Sequence, residues 1–173
     1  MTADLSLATL SEGVCLENLG KLLPWNIGHR EARALLGLET MRPDKITLAW
    51  DNQVCLDGLP CQIAGKFILE ETFIPEKRAL RLIEFRPQKA EGVGLDEFYA
   101  NVRGHLAHHF GQPTLDYDGS EGSLRSFSEW DTEEVMVMWK ITRLSLEAEE
   151  ECVGEIWRKP FPKEYLKLTL SSF

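Results

Sequence analysis

The feature that most constrains the fold of this sequence is a pattern that occurs twice. In each copy, a short amphipathic helix stops at a glycine, and segments with the period-two alternation of β-strands follow. The first helix is expected over 29–36 and stops at Gly37. The second begins near Leu95 and stops at Gly111, after which Pro113 prevents its continuation. The repetition predicts two units of the same construction.

The segments after each helix are typical of antiparallel strands joined by short connections. Apolar and polar residues alternate most clearly over 134–141, and Asp51 and Asn52 predict a turn after an earlier strand at 46–50. Helices that precede consecutive hairpin strands favour an antiparallel sheet. We therefore expect an α+β fold of two helix-then-antiparallel-strand units, with the helices packed on one face of the sheet. The remaining strands are expected over 54–56, 61–69, 79–85, 125–130, 143–148 and 152–157.

A polar, glycine-containing linker over 87–94 marks the boundary between the two units. The composition, 43% hydrophobic and 27% charged, is ordinary for a globular protein, and 173 residues suit one domain. We therefore predict a single α+β domain over 1–173 that consists of two pseudo-repeat halves, 22–88 and 94–158.

Three further segments carry weaker patterns. Residues 115–124 are rich in aspartate, glycine and serine, which predicts a loop. Residues 162–170 predict a last helix, since Pro162 suits a first helical turn. Residues 1–22 combine helix-forming positions with glycines, and their pattern favours no one structure.

The formal net charge of −9 restricts the classes of partner. A net negative field repels phosphate backbones, and no basic cluster offsets it, which argues against nucleic acid as a ligand. Two interpretations of the acidity stay open: solubility, or a surface complementary to a basic partner protein. The first residues do not have the pattern of a secretion signal, and no apolar stretch reaches the roughly 20 residues of a membrane helix. We therefore expect a cytoplasmic protein that does not bind a membrane.

The four cysteines, Cys15, Cys55, Cys61 and Cys152, are expected to be reduced thiols in a cytosolic chain. Cys55 and Cys61 flank a predicted turn, so a disulfide across that hairpin stays open as an alternative. The cysteine spacing does not match the paired motifs of zinc sites, and no metal site is predicted from it.

No arrangement of residues matches a catalytic pattern. The serines between 123 and 128 lack the glycine-framed elbow of a hydrolase nucleophile, and the glycines at 92 and 94 are too few for a phosphate-binding loop. Neighbouring carboxylates such as Glu70 and Glu71 lie at expected strand ends, where solvated charge is normal. We therefore predict no catalytic residues and no cofactor.

Two histidines of the second helix, His105 and His109, are four residues apart and share one helix face. Helical zinc ligands have this spacing, but a catalytic zinc helix carries a glutamate directly after the first histidine, where this chain has Leu106. The favoured interpretation is a partly buried contact between helix and sheet. Metal binding is the alternative.

The tryptophans carry a second candidate signal. Core packing accounts for most of them, whereas a partly exposed aromatic sheet face is typical of a protein-binding surface. Trp130, Trp157 and the nearby Tyr117 are predicted to be partly exposed. The five tryptophans are Trp25, Trp50, Trp130, Trp139 and Trp157.

Three segments carry a resemblance to known proteins. Residues 23–37 read LPWNIGHREARALLG and resemble the opening of many uncharacterised bacterial proteins. Residues 98–113 and the strands around Trp130 and Trp139 are similar to the second helix and the tryptophan-bearing strands of those proteins. Helix-then-hairpin halves of this kind resemble the β-lactamase inhibitor protein fold and the small outer-membrane assembly lipoproteins. This chain departs from the lipoproteins because it lacks their signal and lipid-attachment cysteine, so the resemblance implies a fold and no particular target.

These observations favour a non-enzymatic protein-binding module, such as an inhibitor, an immunity protein or a chaperone, with a basic protein as partner. The alternative is a small-ligand binder or an unusual enzyme that uses a cleft between the sheet and the second helix, lined by Tyr99, His105, His109 and Trp139. No oligomeric state is predicted. The candidate binding residues are Tyr99, His105, His109, Tyr117, Trp130, Trp139 and Trp157.

Overall fold

The computed structural model describes residues 5–37, 40–41, 47–69, 78–118, 124–143 and 148–161. These residues form an antiparallel α+β structure, which confirms the expected α+β class and antiparallel sheet. The helices are α1 (Leu7–Leu10), α2 (His29–Leu36) and α3 (Leu95–Phe110). The strands are β1 (Gly13–Leu16), β2 (Lys21–Pro24), β3 (Thr40–Met41), β4 (Thr47–Cys55), β5 (Leu59–Leu69), β6 (Arg78–Pro87), β7 (Leu115–Asp118), β8 (Leu124–Asp131), β9 (Val135–Arg143) and β10 (Glu150–Arg158).

The larger sheet has eight strands within the described ranges, in the order β3-β4-β5-β6-β10-β9-β8-β7. Each of α2 and α3 precedes four consecutive strands, and the last strands of the two sets, β6 and β10, pair at the middle of the sheet. Neighbouring strands pair antiparallel because short connections return the chain beside the strand it has just left. The relatedness of the halves 22–88 and 94–158 stays a prediction.

The two longer helices end where the glycines predict. Gly37 and Gly111 follow α2 and α3 with φ of 83° and 80°, values that glycine adopts without steric cost. Within the described ranges, no helix has both the length and the apolar character that crossing a membrane requires.

The larger apolar core joins α3 to the strands of the second half. Phe98 of α3 contacts the Trp139 ring of β9, and Phe110 of α3 contacts the Trp130 ring of β8. Trp130 and Trp139 are 1% and 0% exposed. We call the sheet face that bears these two tryptophans the inner face, and the opposite side the outer face.

A β-bulge changes which side chains of β6 share a face. Strict alternation predicts Leu80 and Leu82 on one face and Ile83 on the other. The pairing with β5 shifts in register so that Arg81 is the additional residue. Leu80 therefore packs in the larger core with Ile83, whereas Leu82 packs against Trp157 in a second, smaller cluster.

Several expected elements differ from the structure. The turn predicted at Asp51 and Asn52 is wrong, because β4 continues through both residues with an irregular register. Residues 115–124 do not form only a loop, since Leu115–Asp118 pairs with β8 as β7. Within residues 1–22, whose pattern favours no one structure, Gly13–Leu16 forms β1, which pairs with β2 (Lys21–Pro24) as a hairpin.

Two expected elements lie mostly or wholly outside the described residues. Arg143 ends β9 rather than beginning a new strand, and most of the strand expected over 143–148 lies outside the described residues. The helix expected over 162–170 also lies outside the described residues.

Candidate functional site

A cluster on the outer face at the β7 end of the sheet combines exposed apolar side chains with a carboxylate. Directly paired residues of antiparallel strands carry their side chains on the same face. Leu115 pairs with Glu129, Tyr117 pairs with Phe127, and Glu129 also pairs with Met138 of β9. We call these five residues the outer patch.

The alternation of β8 explains why the outer patch points away from α3. Ser128 and Trp130 alternate with Phe127 and Glu129, and successive strand residues point to opposite faces. The Ser128 hydroxyl bonds to Tyr99 of α3, and Trp130 is a core residue of the inner face. Phe127 and Glu129 therefore lie on the outer face.

Two members of the outer patch are large apolar side chains in contact with solvent. Leu115 and Tyr117 are 51% and 45% exposed. The Tyr117 and Phe127 rings stack, with centroids 5.6 Å apart and planes at 30°. Exposed aromatic side chains of this kind are enriched at the centres of protein interfaces, because they bury a large area at low entropic cost.

Glu129 is a half-buried carboxylate in this apolar setting. Burial, and secondarily the charge of Asp131, raise the pKa of Glu129, while Lys159 acts in the opposite direction. The Lys159 ammonium is 2.5 Å from an Asp131 oxygen, so its ion pair is with Asp131. No described cation forms an ion pair with Glu129. A cation from a partner would therefore relieve an existing electrostatic cost.

Acidic residues elsewhere on the outer face do have basic partners. Glu84 of β6 contacts Lys66 at 3.5 Å and also pairs with Arg86. Glu155 of β10 is 2.6 Å from Lys140. Burial alone would raise the pKa of Glu155, but the Lys140 ion pair, with a Trp157 hydrogen bond and the charge of Lys66, outweighs burial and leaves the pKa lowered. The outer patch thus differs from the middle of the same face.

The inner side of β7 is tied to α3 by a polar network. The Ser128 hydroxyl donates to Asp116 Oδ1 at 2.6 Å and bonds to the Tyr99 hydroxyl at 2.8 Å. Arg103 donates to both Ser128 and Asp116, and its guanidinium lowers the pKa of Asp116. Burial raises the pKa of Tyr99. Ser128 is fully buried and satisfied, so this network positions β7 against the helix.

The sequence-predicted tryptophans are buried. The expectation that Trp130 is partly exposed is wrong, because its ring packs on α3 and its indole N–H donates to the Gly111 carbonyl at 2.8 Å. Trp157 is 8% exposed, and the centroid of its ring lies 5.8 Å from that of the Phe161 ring in the smaller cluster. Of the three residues predicted to be partly exposed, Tyr117 is the exposed one.

The two histidines contact the turn between β4 and β5. His105 Nε2 lies 2.7 Å from the Leu56 carbonyl, and His109 Nε2 lies 3.1 Å from Asp57 Oδ2. Leu56 and Asp57 have φ of 54° and 61°, a strained backbone that these contacts help to hold. The Glu17 carboxylate accepts hydrogen bonds from the backbone N–H groups of Asp57 and Gly58 in the same turn. This arrangement agrees with a helix-to-sheet contact for both histidines.

The described residues contain no group of three or more His, Cys, Asp or Glu side chains arranged to hold a metal ion. All four cysteines are free thiols, and burial raises the pKa of Cys152 to about 12. A hydrogen bond with the Cys61 side chain, together with burial, raises the pKa of the Cys55 thiol. The alternative of a disulfide between Cys55 and Cys61 is therefore not what the structure has.

The four residues expected to line a cleft have different surroundings. Trp139 is fully buried, so it cannot line an open cleft, and its indole N–H donates to the Tyr99 carbonyl at 3.0 Å. Tyr99 stacks on Trp139, whereas His105 and His109 contact the β4–β5 turn. The four residues therefore form two separate contacts: Tyr99 with Trp139, and the two histidines with the β4–β5 turn.

The sequence pattern does not single out four members of the outer patch. It predicts a loop at Leu115 and ordinary strand positions at Phe127, Glu129 and Met138. The alternation of Leu115 and Tyr117 with aspartates is the pattern of a strand with one apolar face, and it is a signal for Leu115 but not for the other three residues.

No protein-family model matches this sequence, and no significant match was found among the curated proteins or the solved structures. The resemblance to the β-lactamase inhibitor protein fold and to the assembly lipoproteins therefore stays a prediction.

Proposed function

We propose that this protein is a non-enzymatic protein-binding module, of the inhibitor, immunity or chaperone type, and that it binds a basic surface of another protein through the outer patch. The observation that carries this proposal is the exposed Tyr117 ring, which stacks on the half-buried Phe127 beside a carboxylate that has no described ion-pair partner. The packing of both longer helices on one face, which leaves the other face for a partner, is part of the proposal.

The apolar part of the patch would supply most of the affinity. Leu115 and Tyr117 are 51% and 45% exposed, so a partner can remove about half of each side chain from water. About half of the roughly 1.5–3 kcal/mol that full burial of a large apolar side chain contributes is therefore available from each residue. Stacked rings are also already ordered, which lowers the entropic cost of binding.

The charged part of the patch would supply selectivity. A lysine or arginine of the partner can donate a charge-assisted hydrogen bond to Glu129, whose carboxylate is already partly desolvated. An acidic or phosphate-bearing partner would meet both this carboxylate and the net charge of −9. The proposed partner is therefore a basic protein, the proposed location is the cytoplasm, and nucleic acid is disfavoured.

The test compares two double variants that truncate side chains of similar exposure. Leu115→Ala with Tyr117→Ala truncates the two exposed apolar members of the outer patch, and Leu19→Ala with Leu22→Ala is the matched control, since those leucines are 41% and 42% exposed within the β1–β2 hairpin. The partner is first captured with the wild-type protein, and its dissociation constant is then measured by calorimetry with each purified variant. We expect the patch variant to bind about 30-fold or more weakly, and the control to bind like the wild type. Equal loss in both variants, or no loss in the patch variant, would contradict the proposal.

A further inference from the structure

β7 is the last strand of the sheet, and its edge opposite β8 faces no described strand. All four of its residues are exposed, and its described pairing is with β8 alone. A terminal strand presents a row of backbone N–H and C=O groups that a further strand can pair with. β7 therefore offers main-chain hydrogen bonds in addition to the side chains of the outer patch.

The side chains of β7 restrict which strand could be added. Leu115 and Tyr117 lie on the outer face, and Asp116 and Asp118 lie on the inner face. Directly opposed residues of neighbouring strands share a face. An added strand would thus place alternate residues against two apolar side chains and the intervening residues against two aspartates.

The two aspartates differ in their existing partners. Asp116 forms an ion pair with Arg103, whereas Asp118 accepts a hydrogen bond from the Ser126 hydroxyl at 3.1 Å and has no described cation as partner. A basic residue opposite Asp118 would therefore form a new ion pair. A second copy of this chain that added its own β7 with matching faces would place aspartates opposite aspartates, which like charges disfavour.

We infer that the partner binds as an extended segment of alternating basic and apolar residues that pairs with β7 as an additional strand. This inference rests on the proposed function, because it specifies how the partner meets the same end of the sheet. The apolar residues of the segment extend the outer patch, and its basic residues face Asp116 and Asp118.

The test uses synthetic peptides with the full-length protein. The main probe is an eight-residue peptide of alternating lysine and valine. Its controls are a peptide with glutamate in place of lysine and a composition-matched isomer with lysines and valines in separate blocks. Two further isomers carry N-methyl groups on the lysines or on the valines. Affinity is measured by NMR titration, and hydrogen exchange reports the amides of 115–118.

Strand addition predicts a distinct pattern of affinities. A strand uses only one of its two sets of N–H groups toward β7, so we expect one N-methylated isomer to bind and the other to bind at least about tenfold more weakly. The glutamate peptide and the block isomer should also bind at least about tenfold more weakly than the alternating peptide, and exchange at 115–118 should slow. Asp118→Asn should weaken binding about fivefold, whereas Glu91→Gln, at an exposed position outside the sheet, should not.

Three results would overturn the inference: no binding by the alternating peptide, equal affinity of the two N-methylated isomers, or unchanged exchange in β7. Failure of the proposed function is recognised separately. If the captured partner loses affinity for the Leu115→Ala/Tyr117→Ala variant but the N-methylated isomers bind equally, the outer patch binds through side chains alone. If the captured partner binds that variant normally, the proposed function itself is wrong.

Discussion

Among individual residues, Glu129 carries a cost to folding, and the proposed function assigns it a role in binding. Its carboxylate lies among Leu115, Phe127 and Met138 without a described cation as partner. Natural proteins tolerate such local costs at sites where a partner relieves them. The outer patch therefore has a signature that a purely structural surface lacks: removing the charge should help the fold and weaken the complex.

Replacing Glu129 with glutamine tests whether removing the charge stabilises the fold and weakens binding. Because the folded-state pKa of Glu129 is raised, the folded state favours the protonated form, and its contribution to stability is lost as the pH rises through the ionisation range above the usual 4.5. Glu129→Gln should therefore raise the free energy of unfolding at pH 7 by about 0.5 kcal/mol and leave it unchanged at pH 3.5. Urea unfolding at the two pH values measures this. Binding of the captured basic partner should weaken about fivefold, and a variant that is both less stable and fully binding would contradict the assignment.

The contribution of Asp116 to stability changes with pH in the opposite direction. The hydrogen-bonded Arg103 guanidinium lowers the pKa of Asp116, so its contribution to stability is present above the usual 3.8 and is lost as the pH falls through the lower folded-state value. Asp116→Asn should reduce the free energy of unfolding at pH 6 by about 0.5–1 kcal/mol, with the difference from the wild type disappearing in strong acid. A difference that stays constant with pH would mean that the ion pair with Arg103 contributes nothing.

At the scale of elements, the junction of β6 and β10 depends on the absence of a side chain at Gly154. Gly154 pairs with Phe85, and a Cβ at position 154 would lie 2.0 Å from the Phe85 ring. The same ring stacks on Trp139, with centroids 5.9 Å apart. The strand pair that joins the two halves therefore closes over a glycine because an aromatic ring occupies the space above it.

Gly154→Ala should destabilise the protein by about 1–3 kcal/mol through overpacking. Combining it with Phe85→Leu should recover part of that loss, since the smaller side chain vacates the space above position 154. The matched control is Gly104→Ala in α3, where a Cβ meets nothing within 4 Å and where alanine should stabilise the helix by up to about 1 kcal/mol. Chemical unfolding of Gly154→Ala, Phe85→Leu, the Gly154→Ala/Phe85→Leu double variant and Gly104→Ala measures these values, and additive losses in the double variant would contradict the steric explanation.

The elements also show what the sequence could and could not predict. The ends of α2 and α3 follow from glycines, and the alternation of β9 follows from its valines and tryptophan, because these patterns are local. β7 was missed because it has four residues, two of them aspartates, and its pairing partner decides that it is a strand. The bulge at Arg81 likewise depends on register with β5, which no local pattern contains.

The candidate site could be predicted only at Tyr117. The burial of Trp130 depends on a backbone carbonyl at the end of α3 that accepts its indole N–H, a contact between distant parts of the chain. Glu129 gives no local signal, since its raised pKa depends on the neighbours that the sheet places around it. Exposure and charge pairing are tertiary properties, so the sequence predicts a binding protein but not the position of the proposed surface.

For the whole molecule, the described topology accounts for where a partner would bind. The two sets of four strands meet at β6 and β10, which places the β7 end at one extreme of the eight-stranded sheet. The inner face there is filled by Trp130, Trp139 and their α3 contacts. The outer patch and the terminal strand β7 are therefore the parts of this region to which the proposed function assigns a basic partner.

Hydrogen exchange of the protein with and without its captured partner tests this account most directly. The account predicts that protection on binding is concentrated in 115–118 and 127–138, with the β4–β5 turn at Leu56 and Asp57 unchanged. Protection centred on that turn and on His105 and His109, with 115–118 exchanging as in the free protein, would contradict it.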